Sequence, residues 1–272
     1  VIPELVERID YRKGPYYADI GDFSAAGTAN MSTYTSLPAP YVDATIGQNG
    51  YLRGVAAGSF DAGGGTVLLG ALAATNNGPW VLDNNLGQFS GLAKYTHGNG
   101  DSVWGVQIGG YTSTWNATDQ VPQRAIDTGL IDRLGYIDPD LGGTTTRLWA
   151  GVNANFGGFN ATAYVVNYKF ELTSNFTYFL DDPLNGDEFQ QVDRRTLYGG
   201  TAAQAWDLKL GAMPVTVTLG TELRYDDIGT VGLYHSVDGV RTNTVRQDSV
   251  DEFSAALYVQ GAFTLTPNLR AT

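Results

Sequence analysis

Few residues in this chain could do covalent or metal chemistry. There is no cysteine, and the two histidines, His97 and His235, stand far apart in sequence. Without a thiolate or a His-x-x-x-His pair, the residues offer no transition-metal set. No Gly-x-Ser-x-Gly turn presents a nucleophile, and Gly63-Gly64-Gly65 leads into no helix that could cradle phosphate, so it reads as a turn. The run Asp181-Asp182-Pro183-Leu184-Asn185-Gly186-Asp187-Glu188 offers oxygens to a calcium ion. It lacks the regular ligand spacing of a calcium loop and reads as a solvated loop. No enzyme activity, metal or cofactor is expected. What remains are charges at every second position of a strand, Glu222, Arg224 and Asp226, and aromatic residues near strand ends.

That strand spans 215–226. Val215, Val217, Leu219, Thr221, Leu223 and Tyr225 share one parity. Thr216, Thr218, Gly220, Glu222, Arg224 and Asp226 share the other. A period of two over a dozen residues is a strand with one apolar and one polar face. Strands of soluble sandwiches run about 5–6 residues, whereas a tilted membrane-spanning strand needs about 9–11. Tyr225 closes the apolar face where an aromatic girdle would lie. Composition agrees: among 272 residues, 35 are Gly, 16 are Tyr and only 16% are charged, against about 25% in soluble chains. Mean hydropathy is −0.15, and no apolar run is long enough for a transmembrane helix. Barrel strands hide their hydrophobicity in alternation. A net charge of −12 argues against nucleic acid as a partner.

Strands are expected near 42–48, 51–60, 65–75, 87–97, 102–115, 144–156, 159–172, 194–210, 215–227 and 250–264. Short connections at 61–64, 98–101, 157–158, 211–214 and 265–268 carry the Gly, Asn and Pro that tight turns need. The connections between them, after a short one at Gln48-Asn49-Gly50, are long: 76–86, 116–143, 173–193 and 228–249. Short turns at one end and long loops at the other mark an up-and-down barrel. The stretch 65–75 is apolar on both faces, as if buried on both sides or covered by a plug. Trp80, Trp104, Trp115, Trp149 and Trp206 mostly fall near strand ends, where girdle anchoring is expected. Asn116, Asn160 and Asn175 stand in glycosylation sequons that read as chance matches.

The first 31 residues differ. Glu7-Arg8-Ile9-Asp10, Lys13-Gly14-Pro15, Ile20-Gly21 and Ala26-Gly27-Thr28-Ala29-Asn30-Met31 follow in order. This series resembles the end of the plug domain of TonB-dependent outer-membrane receptors, with Asp10, Ile20 and Thr28 departing from the family pattern. The strands that follow resemble that family's barrel. The resemblance implies an all-β fold: residues 1–37 as the C-terminal end of a plug, and 38–272 as about the first ten of some 22 antiparallel transmembrane strands. The chain then reads as an interior piece of a longer, monomeric protein of the bacterial outer membrane. It implies active uptake of a large scarce nutrient, most often an iron-siderophore complex, with outer-membrane lipid and the energy-coupling protein TonB as partners. TonB would engage a segment outside this chain. In such proteins plug charges pair with lumen charges, so Glu7, Arg8 and Lys13 are expected to face Glu222, Arg224 and Asp226. Arg124, Arg133, Tyr136, Phe176, Tyr178 and Phe179, in the long loops, are the candidates to meet an anionic or aromatic chelate. A passive porin lacks a plug, so residues 1–31 discriminate against it. A soluble carbohydrate-binding module gives no reason for the outward apolar parity.

Overall fold

The computed structural model describes residues 2–21 and 24–272. A 3₁₀ turn at Pro3–Leu5 leads into a two-stranded antiparallel ribbon, β1 (Val6–Lys13) and β2 (Gly27–Thr33). The rest is one antiparallel sheet of eleven strands. They are β3 (Tyr41–Ile46), β4 (Leu52–Ala62), β5 (Gly65–Asn76), β6 (Leu86–Asn99), β7 (Ser102–Asn116), β8 (Gly142–Phe156), β9 (Phe159–Ser174), β10 (Phe189–Leu210), β11 (Met213–Val237), β12 (Val240–Thr266) and β13 (Leu269–Ala271). Every strand pairs with its sequence neighbours, so the sheet is an up-and-down barrel wall, open between β3 and β13. Among the described residues the only α-helix is α1 (Gln123–Asp127). No helix is long and apolar enough to cross a membrane, which says nothing of strands.

Five two-residue turns, at 63–64, 100–101, 157–158, 211–212 and 267–268, close one end of the sheet. Gly63 and Gly64 (φ 58° and 79°) and Gly157 and Gly158 (φ 54° and 88°) take the left-handed pair that a tight hairpin needs. The opposite end carries the loops 77–85, 117–141 and 175–188. Two expectations require correction. The wall has eleven strands rather than ten, because β13 follows the turn at 267–268. The connection 228–249 is not a loop: β11 and β12 continue to an Asp238-Gly239 turn, with φ 51° and 71°. The strands keep pairing there because Val231 and Leu233 still face Asp248 and Arg246 across a ladder that tolerates several bulges.

Register fixes the two faces. Leu148, Ala150, Val152, Ala154 and Phe156 point outward from β8, and across the ladders so do Trp104, Val106 and Ile108 of β7 and Phe159, Ala161, Ala163 and Val165 of β9. On β10 the outward set runs Tyr198, Gly200, Ala202, Gln204, Trp206 and Leu208. On β12 it runs Phe253, Ala255, Leu257, Val259, Gly261 and Phe263. No charged residue interrupts these sets. Aromatics bound them: Tyr198 stacks on Tyr225 at 6.3 Å on the loop side, and Trp104, Phe156, Phe159 and Trp206 lie near the tight turns. From Tyr198 to Trp206 is about 26 Å along a strand, comparable before tilt to the apolar band of an outer-membrane barrel, ~25 Å. Not every tryptophan belongs to this rim. Trp149 shares the inner parity and lies over Gly109, and Trp115, also inner, lies over Gly143. Both glycines are needed there because a methyl group would overlap an indole ring.

Candidate functional site

The inner face of the wall carries the N-terminal segment. Ile2 and Leu5 are buried against Val55, Ala57, Leu68 and Leu72 of β4 and β5, with Tyr34, Leu37 and Leu92 around them. Leu5 is 1% exposed and Leu68 0%. Gly70 admits the contact, since a methyl group there would stand 2.4 Å from Leu5 Cδ1. This is why 65–75 is apolar on both faces: Leu69 points outward, while Leu68 and Leu72 are covered from inside.

Polar groups frame this cluster. Arg53 Nη2 donates to Glu4 Oε1 at 2.7 Å, in a pair only partly exposed. Lys94 Nζ donates to the carbonyls of Thr33 and Tyr34 at 2.9 and 3.1 Å and to the Thr33 hydroxyl at 3.2 Å. The chain is thus gripped just before β1 and just after β2. Glu7 lies on the exposed side of β1 and acts on Lys94 through its charge. The motif reading missed Glu4, Arg53 and Lys94. Their signal was available: Arg53 and Lys94 are single cations at inner-parity positions of otherwise uncharged stretches of strand.

The far end of the segment reaches β11 and β12. Gly14 (φ 79°) turns the chain after β1, Arg12 pairs with Asp19 at 2.7 Å, and the Arg12 guanidinium sits over the Tyr17 ring. That folded loop sets Gly21 against Glu222, where a methyl group would stand 1.9 Å from Oε2. A cavity of about 390 Å³, lined by Asp19, Asn160, Thr201, Glu222, Tyr258 and Gln260, separates the loop from the wall. The remaining predicted charges are placed as follows. Arg8 pairs with Asp10 on its own strand at 2.8 Å. Lys13 is exposed at the end of β1. Arg224 donates two hydrogen bonds to Asp226, at 2.8 and 2.7 Å, and Arg195 pairs with Asp193 alongside. Among the described residues Glu222 is brought against the N-terminal segment, and Glu7 acts on Lys94 through space.

The long loops pack on one another over the open end. Tyr178 is buried and adopts φ 63°, a conformation unfavourable for its ring-bearing side chain. Hydrogen bonds hold it there: its N–H donates to Asn175 Oδ1, and its hydroxyl donates to the carbonyls of Gln120 and Thr118. Burial, then the charges of Asp119 and Asp138, push the phenol up to about 12. Asn175 is itself buried and donates to Asp138 Oδ2, so this sequon asparagine serves as a loop clasp. Arg124, Arg133, Phe176 and Phe179 are exposed, and Tyr136 is half-buried. Within 181–188 the carboxylates cap backbone. Asp187 accepts from the N–H groups of Leu180, Asp181 and Asp182, and Asp182 accepts from Leu184 and Asn185.

An antiparallel wall with an aromatic-bounded apolar exterior, a charged interior and a chain segment docked inside defines the fold of a filled β-barrel. Comparison with solved structures agrees. No protein-family model and no curated protein sequence matches the chain. Three solved transporters share its fold. The unliganded ferric citrate transporter FecA aligns with a TM-score of 0.69 at 12% identity, over 94% of this chain and 40% of that one. The copper transporter OprC aligns with a TM-score of 0.66 at 12% identity, over 98% and 41%. The ferric enterobactin receptor PfeA of Pseudomonas aeruginosa, in complex with enterobactin, aligns with a TM-score of 0.56 at 13% identity, over 97% and 43%. The chain therefore spans about two fifths of the length of these structures.

Proposed function

We propose that this chain is part of a TonB-dependent outer-membrane receptor: the end of the plug (residues 1–37) and the first strands of the barrel (38–272). The observation that carries this reading is the N-terminal segment itself. Ile2 and Leu5 are buried on the inner face of a wall whose outer face is apolar, an arrangement a passive pore has no use for. A hollow of about 1390 Å³ opens among Phe60, Leu69, Phe89, Ile108 and Leu148 on the outer face. In a bilayer acyl chains fill it, so it is not the nutrient site. The edges β3 and β13 pair with further strands, because unpaired backbone is not tolerated in hydrocarbon.

The cargo is a large scarce nutrient, most simply a ferric chelate. Arg124 and Arg133 would meet its negative charge, and Tyr136, Phe176 and Phe179 its rings or stems. Tyr178 acts as a loop anchor instead. On the inner side Glu222, Arg224 and Asp226, with Glu7, Arg8 and Lys13, line the path between plug and wall. Energy coupling through TonB then loosens the plug, and no bond in the cargo is made or broken. Uptake of a radioiron-labelled chelate into cells with and without the gene tests this. Uptake should need both the gene and the proton gradient. Gene-dependent leakage that persists after the gradient is collapsed would instead favour a porin.

A further inference from the structure

Three parts of the loop end meet at one point: loop 117–141, the start of β10, and the Asp238-Gly239 turn. Asp138, Asp140 and Glu188 each offer a carboxylate oxygen there, and these oxygens all lie within 4.8 Å of one another. The ion pairs of Arg194 and Arg241 go elsewhere, both to Glu171. Asp238 adds a fourth negative charge acting on Asp140. Glu188 is 3% exposed, and its carboxylate receives one backbone N–H, from Gly239, at 3.1 and 3.3 Å to its two oxygens. Burial, then the neighbouring Asp138 and Asp140, pushes its carboxyl up. Asp140 is raised by burial and by Asp138 and Asp238.

A separate observation points the same way. The Ser236 hydroxyl is 1% exposed and stands beside the Glu188 carboxylate, holding its proton affinity down. Yet it is aligned for a hydrogen bond neither with that carboxylate nor with any other described group. Buried polar atoms are almost always partnered, so the lone pairs of this hydroxyl are open to whatever the carboxylates hold.

We propose that Asp138, Asp140 and Glu188, with the Ser236 hydroxyl beside them, form a calcium site that ties these loops together. Calcium binds six to eight oxygens at about 2.3–2.6 Å, so two of its ligands stand at most about 5 Å apart. The three carboxylate oxygens satisfy that spacing, and water completes the shell. Asp138 is oriented for the task, since Oδ1 accepts from the Asp140 N–H at 3.0 Å and Oδ2 from Asn175 Nδ2 at 2.9 Å. Each oxygen keeps a lone pair for the ion. Magnesium, which demands a tighter octahedron at about 2.0–2.1 Å, fits a site drawn from separate connections less well. The acidic run 181–187 does not contribute, because Asp182 and Asp187 are committed to backbone N–H groups. The site follows from loop geometry and does not depend on which nutrient the protein takes up.

The test uses protein purified in detergent and stripped with a chelator. Calcium alone is titrated by calorimetry, and terbium luminescence is excited through tyrosine, with Tyr178 as the neighbouring donor. One saturable site is expected, with Kd of about 0.1–1 mM, the range of extracellular calcium modules. Glu188→Gln and Asp140→Asn should each weaken it at least tenfold, while Asp181→Asn should leave it unchanged. Backbone hydrogen exchange of the unmodified protein, with calcium and with chelator, gives an answer even if a variant misfolds. Exchange in 117–141 and 175–188 should slow with calcium. No saturable binding up to about 10 mM, equal binding by Glu188→Gln, or exchange indifferent to calcium would overturn the proposal.

Discussion

The N-terminal segment meets the wall in two different ways. At its start, Ile2 and Leu5 are sealed against Leu68 and Leu72. At its loop, Gly21 rests on the Glu222 carboxylate beside a polar cavity. Burying a large aliphatic side chain contributes roughly 1.5–3 kcal/mol without demanding alignment. A glycine resting on a carboxylate buries no apolar side chain and gains none of that. Among the described contacts the first is therefore the stronger.

Leu5→Ala attacks the first contact and should have the largest effect. A loss of about 2–4 kcal/mol is expected, read by denaturant titration and by faster proteolysis within residues 1–34. A loss below about 1 kcal/mol would mean that the cluster does not hold the segment. Lys94→Met removes the clamp on the Thr33 and Tyr34 carbonyls and should cost about 1–2 kcal/mol, since a part-buried charged donor is lost. Gly21→Ala should cost under about 1 kcal/mol, because the colliding group is the free end of a flexible side chain. Its effect should vanish in a Glu222→Ala background. If Gly21→Ala proved as costly as Leu5→Ala, the contrast between the two contacts would fail.

The smallest effect is on pH response, where the loop end carries its own contrast. Asp182 is held below the ordinary carboxyl range by N–H groups of Asn185 and Leu184. In Asp187 burial pushes up, but the N–H groups of Asp182, Asp181 and Leu180 and the Thr177 hydroxyl outweigh it. Both stabilise the fold above about pH 4 and lose that contribution as pH falls through their lowered values. Glu188 and Asp140 are raised, so their contribution is present below about pH 4 and is lost as pH rises through the raised values. Without calcium, exchange around 188–190, corrected for intrinsic rates, should be slower near pH 4 than near pH 7, while 181–187 should show no such gain. Equal pH responses in the two stretches would contradict this.

Much of the wall was legible because a period of two is a direct consequence of strand geometry. The outward faces of β8, β10 and β12 and the covered face of 65–75 follow from it. The Asp238-Gly239 hairpin was equally legible, since Asp-Gly flanked by strand residues is a hairpin signal. The charges of Arg241, Arg246 and Asp248 masked it, because a strand exposed on both faces needs no apolar face. The inward turn of Trp115 and Trp149 required their parity, not their distance from a strand end. What holds the N-terminal segment was only half visible. Family-like motifs drew the eye to Arg8, which pairs within its own strand, and away from Glu4, whose partner Arg53 lies 49 positions along the chain. Asp138, Asp140 and Glu188 come together only because loops cross above the barrel, and nothing local in their sequence encodes that.

The central claim is that the start of the chain lies inside the barrel against β5. The absence of cysteine makes a direct test clean. Leu5→Cys and Gly70→Cys, placed where Leu5 Cδ1 stands 2.4 Å from the Cβ position of residue 70, should oxidise to a disulfide in the folded protein. Pairing Leu5→Cys with Leu69→Cys on the outer face should not. Rapid cross-linking in the first pair alone is the predicted result. Free thiols in both, or cross-linking to the outer-face position, would contradict the account.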